Sequence, residues 1–342
     1  MARTPLPMRP TGWFQVAWSA EIGVNGVHRM TYFGTEMIAW RSASGQVTVM
    51  DAYCEHLGAH LGFGGTVDGE ILRCPFHGWE WNQQGRNVCI PYEKNPNRGR
   101  RIRTYPVTEH SESIFIWYDA DRREPYFPVA EALSGFDDGR SAADYYPAFG
   151  HSTLFEQSVE IHPQYVMENG VDVAHFTYVH NTPLVPEFTR HDFDQPVSYV
   201  DFTIAFDDVP ADEINSGVQA INSGIGVAST KSWGMIDNRT QTCVTPIDDT
   251  TSDVRFTVWI GRKPGDDSDH PTTRALKNAA GVIEQFGNDI HIWKHQRYSD
   301  PPALSPSEFT GFTAIRAWAA QFYPADFDQT AAVAAARREA LA

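Results

Sequence analysis

Cys54-Glu-His56 is followed, 17 residues later, by Cys74-Pro-Phe-His77, a C-x-H-x17-C-x2-H spacing. Each half pairs one thiol with one imidazole inside a glycine-containing loop, Cys54-Glu-His-Leu-Gly-Ala-His-Leu and Cys74-Pro-Phe-His-Gly-Trp. A β-type run precedes each loop, Val47-Thr-Val-Met-Asp-Ala-Tyr53 before the first and Glu70-Ile-Leu-Arg73 before the second. Small residues let both loops close over a metal centre. Two mixed pairs suit a 2Fe-2S cluster in which two thiolates hold one iron and two neutral imidazoles hold the other. Structural zinc is the alternative for two Cys and two His. Zinc fingers, however, segregate C-x2-4-C from H-x3-5-H, whereas Cys and His alternate within each half here, so the cluster is the preferred reading.

A second constellation lies about a hundred residues on, in Met167-Glu-Asn-Gly-Val-Asp172-Val-Ala-His175-Phe-Thr-Tyr-Val-His180, an N-x2-D-x2-H-x4-H run. Two His and one carboxylate can form a facial triad that leaves iron with open positions. Asp172 and His175 are spaced i,i+3 and are expected to share a helix face, but His175 and His180 are five apart and cannot do so on a regular helix. The helix is expected to distort or end near Tyr178, through a π-type turn. Two surface histidines on an amphipathic helix would explain either residue alone but not the whole string. The third ligand is sought in Val282-Ile-Glu-Gln-Phe-Gly-Asn-Asp289-Ile-His-Ile-Trp293. Val282, Phe286, Asp289 and Trp293 follow i+4, i+3, i+4 steps, which places Asp289 in the apolar stripe and Glu284, Asn288, His291 and His295 on the opposite face. A carboxylate on a buried face is costly unless a cation compensates it, and iron would; an ion pair with Arg is the alternative.

Together the two motifs resemble those of Rieske non-haem iron oxygenases. The segments Asp51-Ala-Tyr-Cys-Glu-His-Leu-Gly-Ala-His, Cys74-Pro-Phe-His-Gly-Trp-Glu-Trp81, Val173-Ala-His-Phe-Thr-Tyr-Val-His180, Asn288-Asp-Ile-His-Ile-Trp-Lys294 and Ala317-Trp-Ala-Ala-Gln-Phe-Tyr323 look like the oxygenase component of 3-ketosteroid 9α-hydroxylases and their relatives. The likeness runs from near Gly12 to about Phe327. It implies that Cys54, His56, Cys74 and His77 bind the Rieske 2Fe-2S cluster and that His175, His180 and Asp289 bind a mononuclear Fe(II). It also implies that Asp172 is an electron bridge, that Asn169 stands near the iron, and that copies form a head-to-tail homotrimer in which His77 of one meets Asp172 of the next. Respiratory Rieske proteins carry a disulfide clamp and a serine donor where this chain has Ala59, Phe76 and Trp79. Fewer hydrogen bonds to sulfur imply a potential towards the bottom of the roughly −150 to +300 mV Rieske range. The implied reaction is hydroxylation, with O2, of a hydrophobic and steroid-like substrate. Hydroxylation, demethylation or desaturation of a non-steroidal hydrophobe is the alternative, and a non-catalytic electron carrier a further one. The stretch from Asn181 to Gly281 is shorter than in the steroid enzymes and shares few residues with them, so the resemblance does not fix the substrate.

A chain of 342 residues suits two domains. The expected fold is α+β: an antiparallel β Rieske domain over 1–140, then a helix-grip, START-like catalytic domain over 141–342 whose curved antiparallel sheet surrounds a substrate cavity. Ser134-Gly-Phe-Asp-Asp-Gly-Arg-Ser-Ala has linker composition and marks the expected boundary. Met30-Thr-Tyr-Phe and Ser113-Ile-Phe-Ile-Trp-Tyr118 read as strands of the first half, and Val200-Asp-Phe-Thr-Ile-Ala-Phe206 and Val254-Arg-Phe-Thr-Val-Trp-Ile260 as strands of the second. Pro91 is expected to lie in a loop over the cluster, an ordinary turn proline being the alternative, and the Ala-rich tail after Gln329 to form a surface helix.

No apolar run reaches membrane-spanning length and Met1 to Pro10 lacks a signal-peptide core, so a cytoplasmic protein is expected. Cys89 and Cys243 are the cysteines left over, too few for a disulfide scaffold. A net charge of −16 opposes nucleic-acid binding. Arg98-Gly-Arg-Arg-Ile-Arg103 is a basic exception that could dock an acidic partner, a solvated loop being the alternative. No G-x-G-x-x-G fingerprint follows a strand, and Gly62-Phe-Gly-Gly65 falls in the Rieske half. Electrons are therefore expected from a separate NAD(P)H-dependent reductase carrying flavin, an iron-sulfur centre or both.

Overall fold

The computed structural model describes residues 5–182, 185–204, 216–234 and 237–328. Contacts divide the chain into two compact units, Phe14–Pro125 on one side and Met1–Trp13 with Tyr126–Ala342 on the other.

Short strands punctuated by Gly and Asn turns build the first unit. They are β1 (Gly12–Trp18), β2 (Val27–Tyr32), β3 (Thr35–Arg41), β4 (Val47–Asp51), β5 (Thr66–Asp68), β6 (Ile71–Arg73), β7 (Glu80–Asn82), β8 (Asn87–Cys89), β9 (Thr104–Tyr105), β10 (Val107–His110) and β11 (Ser113–Tyr118). Three sheets result, ordered β1-β11-β10, β2-β3-β4-β9 and β5-β6-β7-β8. The Cys54 loop leaves the end of β4, and the Cys74 loop joins β6 to β7. Trp40, Met50, Leu72 and Trp81 are fully buried in one core cluster that also contains Cys54 and Cys74. Each large apolar side chain buried there contributes roughly 1.5–3 kcal/mol, which fixes the roots of both loops.

The second unit contains β12 (Thr153–Val159), α1 (Pro163–Asn169), α2 (Ala174–Val179), β13 (Glu187–Asp192), β14 (Val197–Thr203), β15 (Gly217–Ser223), β16 (Val227–Trp233), β17 (Asn238–Pro246), β18 (Ser252–Ile260), α3 (Thr273–Trp293) and α4 (Pro306–Ala319). One antiparallel sheet runs β12-β18-β17-β16-β15-β14-β13. Period-2 alternation splits its residues between two faces. On β17, Asn238, Thr240 and Thr242 line a cavity, while Arg239 points the other way, reaching Asp138 and stacking over Phe136 and Tyr145. The long helix α3 closes the cavity face, with the Phe286 ring stacked on Phe256 at a centroid distance of 4.0 Å. The α+β helix-grip arrangement expected from the sequence is the one observed.

The division between units differs from the expected 140/141 boundary. Ala132, Leu133, Tyr145 and Trp259 form one buried cluster, so the glycine-rich stretch around Gly135 and Gly139 is packed onto the second sheet. Its polar composition reflects turns over that sheet, not a free linker. The first residues of the chain also belong with the second unit: the Thr11 N–H donates to the Phe322 carbonyl at 2.8 Å and Trp13 Nε1 to the Phe127 carbonyl at 2.7 Å. The strand expected over 200–206 is observed as β14 to Thr203, and Ala205 and Phe206 lie outside the described residues, as does the Ala-rich tail. No helix among the described residues is long and apolar enough to cross a membrane.

Candidate metal centres

The two cysteine loops repeat one backbone device. The Cys54 N–H donates to the Ala59 carbonyl at 2.9 Å and the Gly58 N–H donates back to the Cys54 carbonyl at 3.0 Å. The second loop copies this with Cys74 to Trp79 at 2.8 Å and Gly78 to Cys74 at 3.1 Å. Gly58 and Gly78 take φ of 75° and 70°, where a side chain would be strained. A Cβ on Gly78 would also lie 3.0 Å from Pro91 Cγ, so Pro91 packs against the second loop.

This folding buries both cysteines and faces their thiols towards each other. The hydrogen bond from Cys54 lowers the Cys74 thiol to about 6, and the same contact, with burial, raises the Cys54 thiol. Backbone N–H groups of Phe76 and His77 point at Cys74, and that of His56 at Cys54, each favouring the thiolate. The His56 and His77 rings stand edge to face at 4.8 Å, and Trp79 stacks on His56 at 4.3 Å. Trp79 is held in turn by donating to the Tyr92 hydroxyl at 2.8 Å. His77 Nδ1 is buried and has no hydrogen-bond partner. An orphaned imidazole nitrogen beside two facing thiols, one of them lowered towards the thiolate, fits a 2Fe-2S cluster held by Cys54, Cys74, His56 and His77.

In the second unit the ligand atoms of His175, His180 and Asp289 all lie within 4.8 Å of one another. His180 Nε2 and Asp289 Oδ1 are 3.3 Å apart, and Asp289 is only 6% exposed. The other nitrogen of each imidazole is engaged. His175 Nδ1 donates to the Asp172 carbonyl, and His180 Nδ1 donates to Gln285 Oε1 at 2.9 Å. Both rings are thereby fixed in the tautomer that leaves Nε2 free to ligate, the outer-shell arrangement typical of metal sites. Burial lowers the pKa of His175. At His180 burial acts in the same direction, but the bond and charge of Asp289 outweigh it and raise the value. A buried carboxylate opposed to two oriented imidazoles suits a divalent iron.

Two expectations about the helix need correction. Asp172 does not share a helix face with His175, because α2 begins at Ala174. Asp172 instead sits in the turn after α1, and its Oδ1 accepts the His175 N–H at 3.3 Å. The π-type turn is not observed either. The helix ends at Val179, His180 leaves it with φ −106° and ψ 1°, and Asn181 takes φ 57°. That exit is what turns His180 back towards His175.

Gln285 was not among the sequence-predicted site residues. It lies one turn before Asp289, an i−4 signal that was available. Asn169, at the end of α1, brings Nδ2 to 3.3 Å from His175 Nε2. Helix α1 is anchored by a polar network: His162 Nδ1 accepts the Gln164 N–H at 3.1 Å, Gln164 Nε2 donates to Glu168 Oε1 at 2.7 Å, and Arg316 grips Glu168 with two bonds of 2.9 and 3.0 Å. His175, His180 and Asp289 open into a cavity of about 620 Å³ whose walls include Phe202, Val218, Phe256 and Phe286.

A family profile for the 3-ketosteroid 9alpha-hydroxylase C-terminal domain matches residues 116–323, and one for the Rieske [2Fe-2S] domain matches residues 12–106. The chain belongs to the 3-ketosteroid 9alpha-hydroxylase family of Rieske oxygenases. Members are oxidoreductases that use a Rieske 2Fe-2S cluster and a mononuclear iron. This Rieske oxygenase is 26% identical over 329 residues to a 3-ketosteroid-9-alpha-monooxygenase oxygenase component of Rhodococcus rhodochrous, covering 91% of this chain and 83% of that one. A cholesterol 7-desaturase of Bombyx mori is 36% identical over 181 residues, 53% of this chain and 38% of its own length. Among solved structures, dicamba monooxygenase bound to dicamba superposes with a TM-score of 0.62 at 17% identity, covering 90% of this chain and 95% of that one, a likeness of fold.

Proposed function

We propose that this Rieske oxygenase is the terminal component of a multicomponent monooxygenase that hydroxylates an elongated, apolar, steroid-like polycycle. The observation that carries the reading is the His175, His180 and Asp289 cluster opening directly into the large apolar cavity. Bound at their sites, the cluster supplies single electrons and the iron supplies O2 activation for insertion into an unactivated C–H bond. The protein's part is orientation. Asp172 and Gln285 hold the two imidazoles, Asn169 steadies His175, and the aromatic walls exclude water around the carbon to be oxidised.

The name of the Rhodococcus relative, an oxygenase component, supports a separate electron donor, which we take to be an NAD(P)H-dependent reductase with a flavin or iron-sulfur centre. The Arg98–Arg103 run supports docking of an acidic partner beside the cluster, because Arg100 pairs at 3.5 Å with Glu55, the neighbour of the ligand His56. We also infer a cytoplasmic homotrimer in which the His77 loop of one copy meets Asp172 of the next. Exposed apolar side chains on both features support this: Leu57 and Phe76 on the cysteine loops, and Phe309 beside Glu308, whose charge acts on Asp172. A carboxylate can accept hydrogen bonds from two imidazoles, as such a bridge requires.

Desaturation is a second reading, favoured by the 36% identity to the Bombyx desaturase. Reductase-coupled O2 uptake with product mass decides between them. A ketosteroid or sterol that gains one oxygen supports hydroxylation, and one that loses two hydrogens supports desaturation. Uptake that remains uncoupled on both classes would remove the steroid-like assignment.

A further inference from the structure

Along α3 the cavity is lined in turn by Lys277, Gly281, Gln285 and Asp289. Asp289 marks the metal end. Lys277 comes twelve residues earlier on the same unbroken helix, which at 1.5 Å per residue places it about 18 Å back along the axis. The cavity therefore extends well beyond the His175, His180 and Asp289 cluster. Between the two ends the wall steps back at Gly281, where a Cβ would meet nothing within 4 Å.

Charge is sparse on this wall. Among the described residues that line the cavity, Lys277 is the one ammonium or guanidinium and Asp289 the one carboxylate. Asp289 is committed to His180 at 3.3 Å. Lys277 is exposed, so it stands at the mouth, and it pairs with no carboxylate among the described residues. A chain of net charge −16 repels anions at long range, so an unpaired cation opening onto an apolar cavity is a distinct recognition element.

We propose that Lys277 is a specificity-determining residue whose ammonium binds a carboxylate at the trailing end of the substrate. The substrate class is then an elongated apolar polycycle whose acid group lies up to about 18 Å from the carbon presented to the metal end. The ion pair forms at the solvent-facing mouth, so it is modest and screened by salt, while burial against the apolar walls supplies most of the affinity. This deepens the proposed function and rests on its assignment of the cavity to the substrate.

The test is a set of three steroids that differ only at the end of the side chain: a carboxylic acid, its methyl ester and the corresponding alcohol. Dissociation constants are read on the metal-loaded protein from tryptophan quenching, since Trp233 and Trp293 line the cavity. Wild type is set against Lys277→Gln and Lys277→Glu, exposed helical replacements that keep good helix formers in place. At about 0.01 M ionic strength wild type should bind the acid about fivefold more tightly than the ester. Lys277→Gln should abolish that preference and Lys277→Glu should reverse it, with ester and alcohol binding unchanged in both. At about 1 M salt the wild-type preference should vanish. An acid preference that survives in Lys277→Glu, or that ignores salt, would overturn the proposal. Equal weakening of all three ligands in both variants would show Lys277 acting through packing and overturn it too. Wild type binding all three alike would overturn the role of Lys277 alone, whereas failure to bind any of them would overturn the cavity assignment beneath it.

Discussion

Acidification should loosen α1 through His162, its N-cap residue. This imidazole is 1% exposed; its Nδ1 accepts the Gln164 N–H at 3.1 Å, and Nε2 donates to the Pro7 carbonyl at 3.1 Å, so the neutral ring is already fully bonded. Burial holds its pKa down at about 4, against an ordinary 6.5. Between those values the unfolded chain takes up a proton that the folded chain refuses. The stability present above pH 6.5 is therefore lost as pH falls towards 4. The gap between the two values, at about 1.4 kcal/mol per pH unit, amounts to about 3 kcal/mol, of which about 2 kcal/mol is gone by about pH 5. His162→Asn keeps an acceptor at the helix N-cap but removes the titration. Urea midpoints of the metal-loaded protein, followed by near-UV signal at about pH 7, 6 and 5, should show the variant gaining on wild type by about 2 kcal/mol across that range. Parallel curves for the two proteins would refute the reasoning.

Asp289→Ala should lower bound iron from about three to about two per chain while keeping the cluster's absorbance, and full retention of iron by elemental analysis would remove Asp289 from the site. Gln285→Leu frees His180 Nδ1 and should weaken iron binding by about 10–100-fold, with Gln285→Glu restoring much of it; titration with Fe(II) under anaerobic conditions checks both. Asp172→Ala should leave both metal sites loaded yet nearly abolish reductase-driven turnover, and normal turnover would refute a bridging role. Arg316→Met leaves Glu168, 5% exposed, without its counter-charge and should cost about 3–5 kcal/mol by urea denaturation. The double variant with Glu168→Gln should recover most of that loss, and a double variant as unstable as the single one would show that the ion pair is not the cause.

Most of the candidate ligand set was legible in the sequence because each Cys/His pairing is local. Cys54 with His56, and Cys74 with His77, each come from one tight loop, and a loop's backbone bonds depend on residues only four or five apart. Asp289 was legible because a carboxylate inside an apolar helical stripe is anomalous wherever it occurs. The boundary near residue 140 was misread because polar, glycine-rich composition marks turns as well as linkers, and only the packing of Leu133 and Tyr145 against Trp259 tells them apart. The course of the chain around His180 was half legible: the five-residue spacing required a break, but its form, an exit from the helix at Val179, depends on where Gln285 and Asp289 wait.

Residue identity and short spacing thus determined the proposed chemistry, two Cys/His pairs that fit a cluster and a His/His/Asp set that fits a mononuclear iron, since donor atoms are properties of side chains. The fold decided what that chemistry can reach. Gln285 on His180 and Arg316 on Glu168 join residues far apart in the chain. Such pairings arise only when strands take register and helices pack, and no pattern along one segment encodes them.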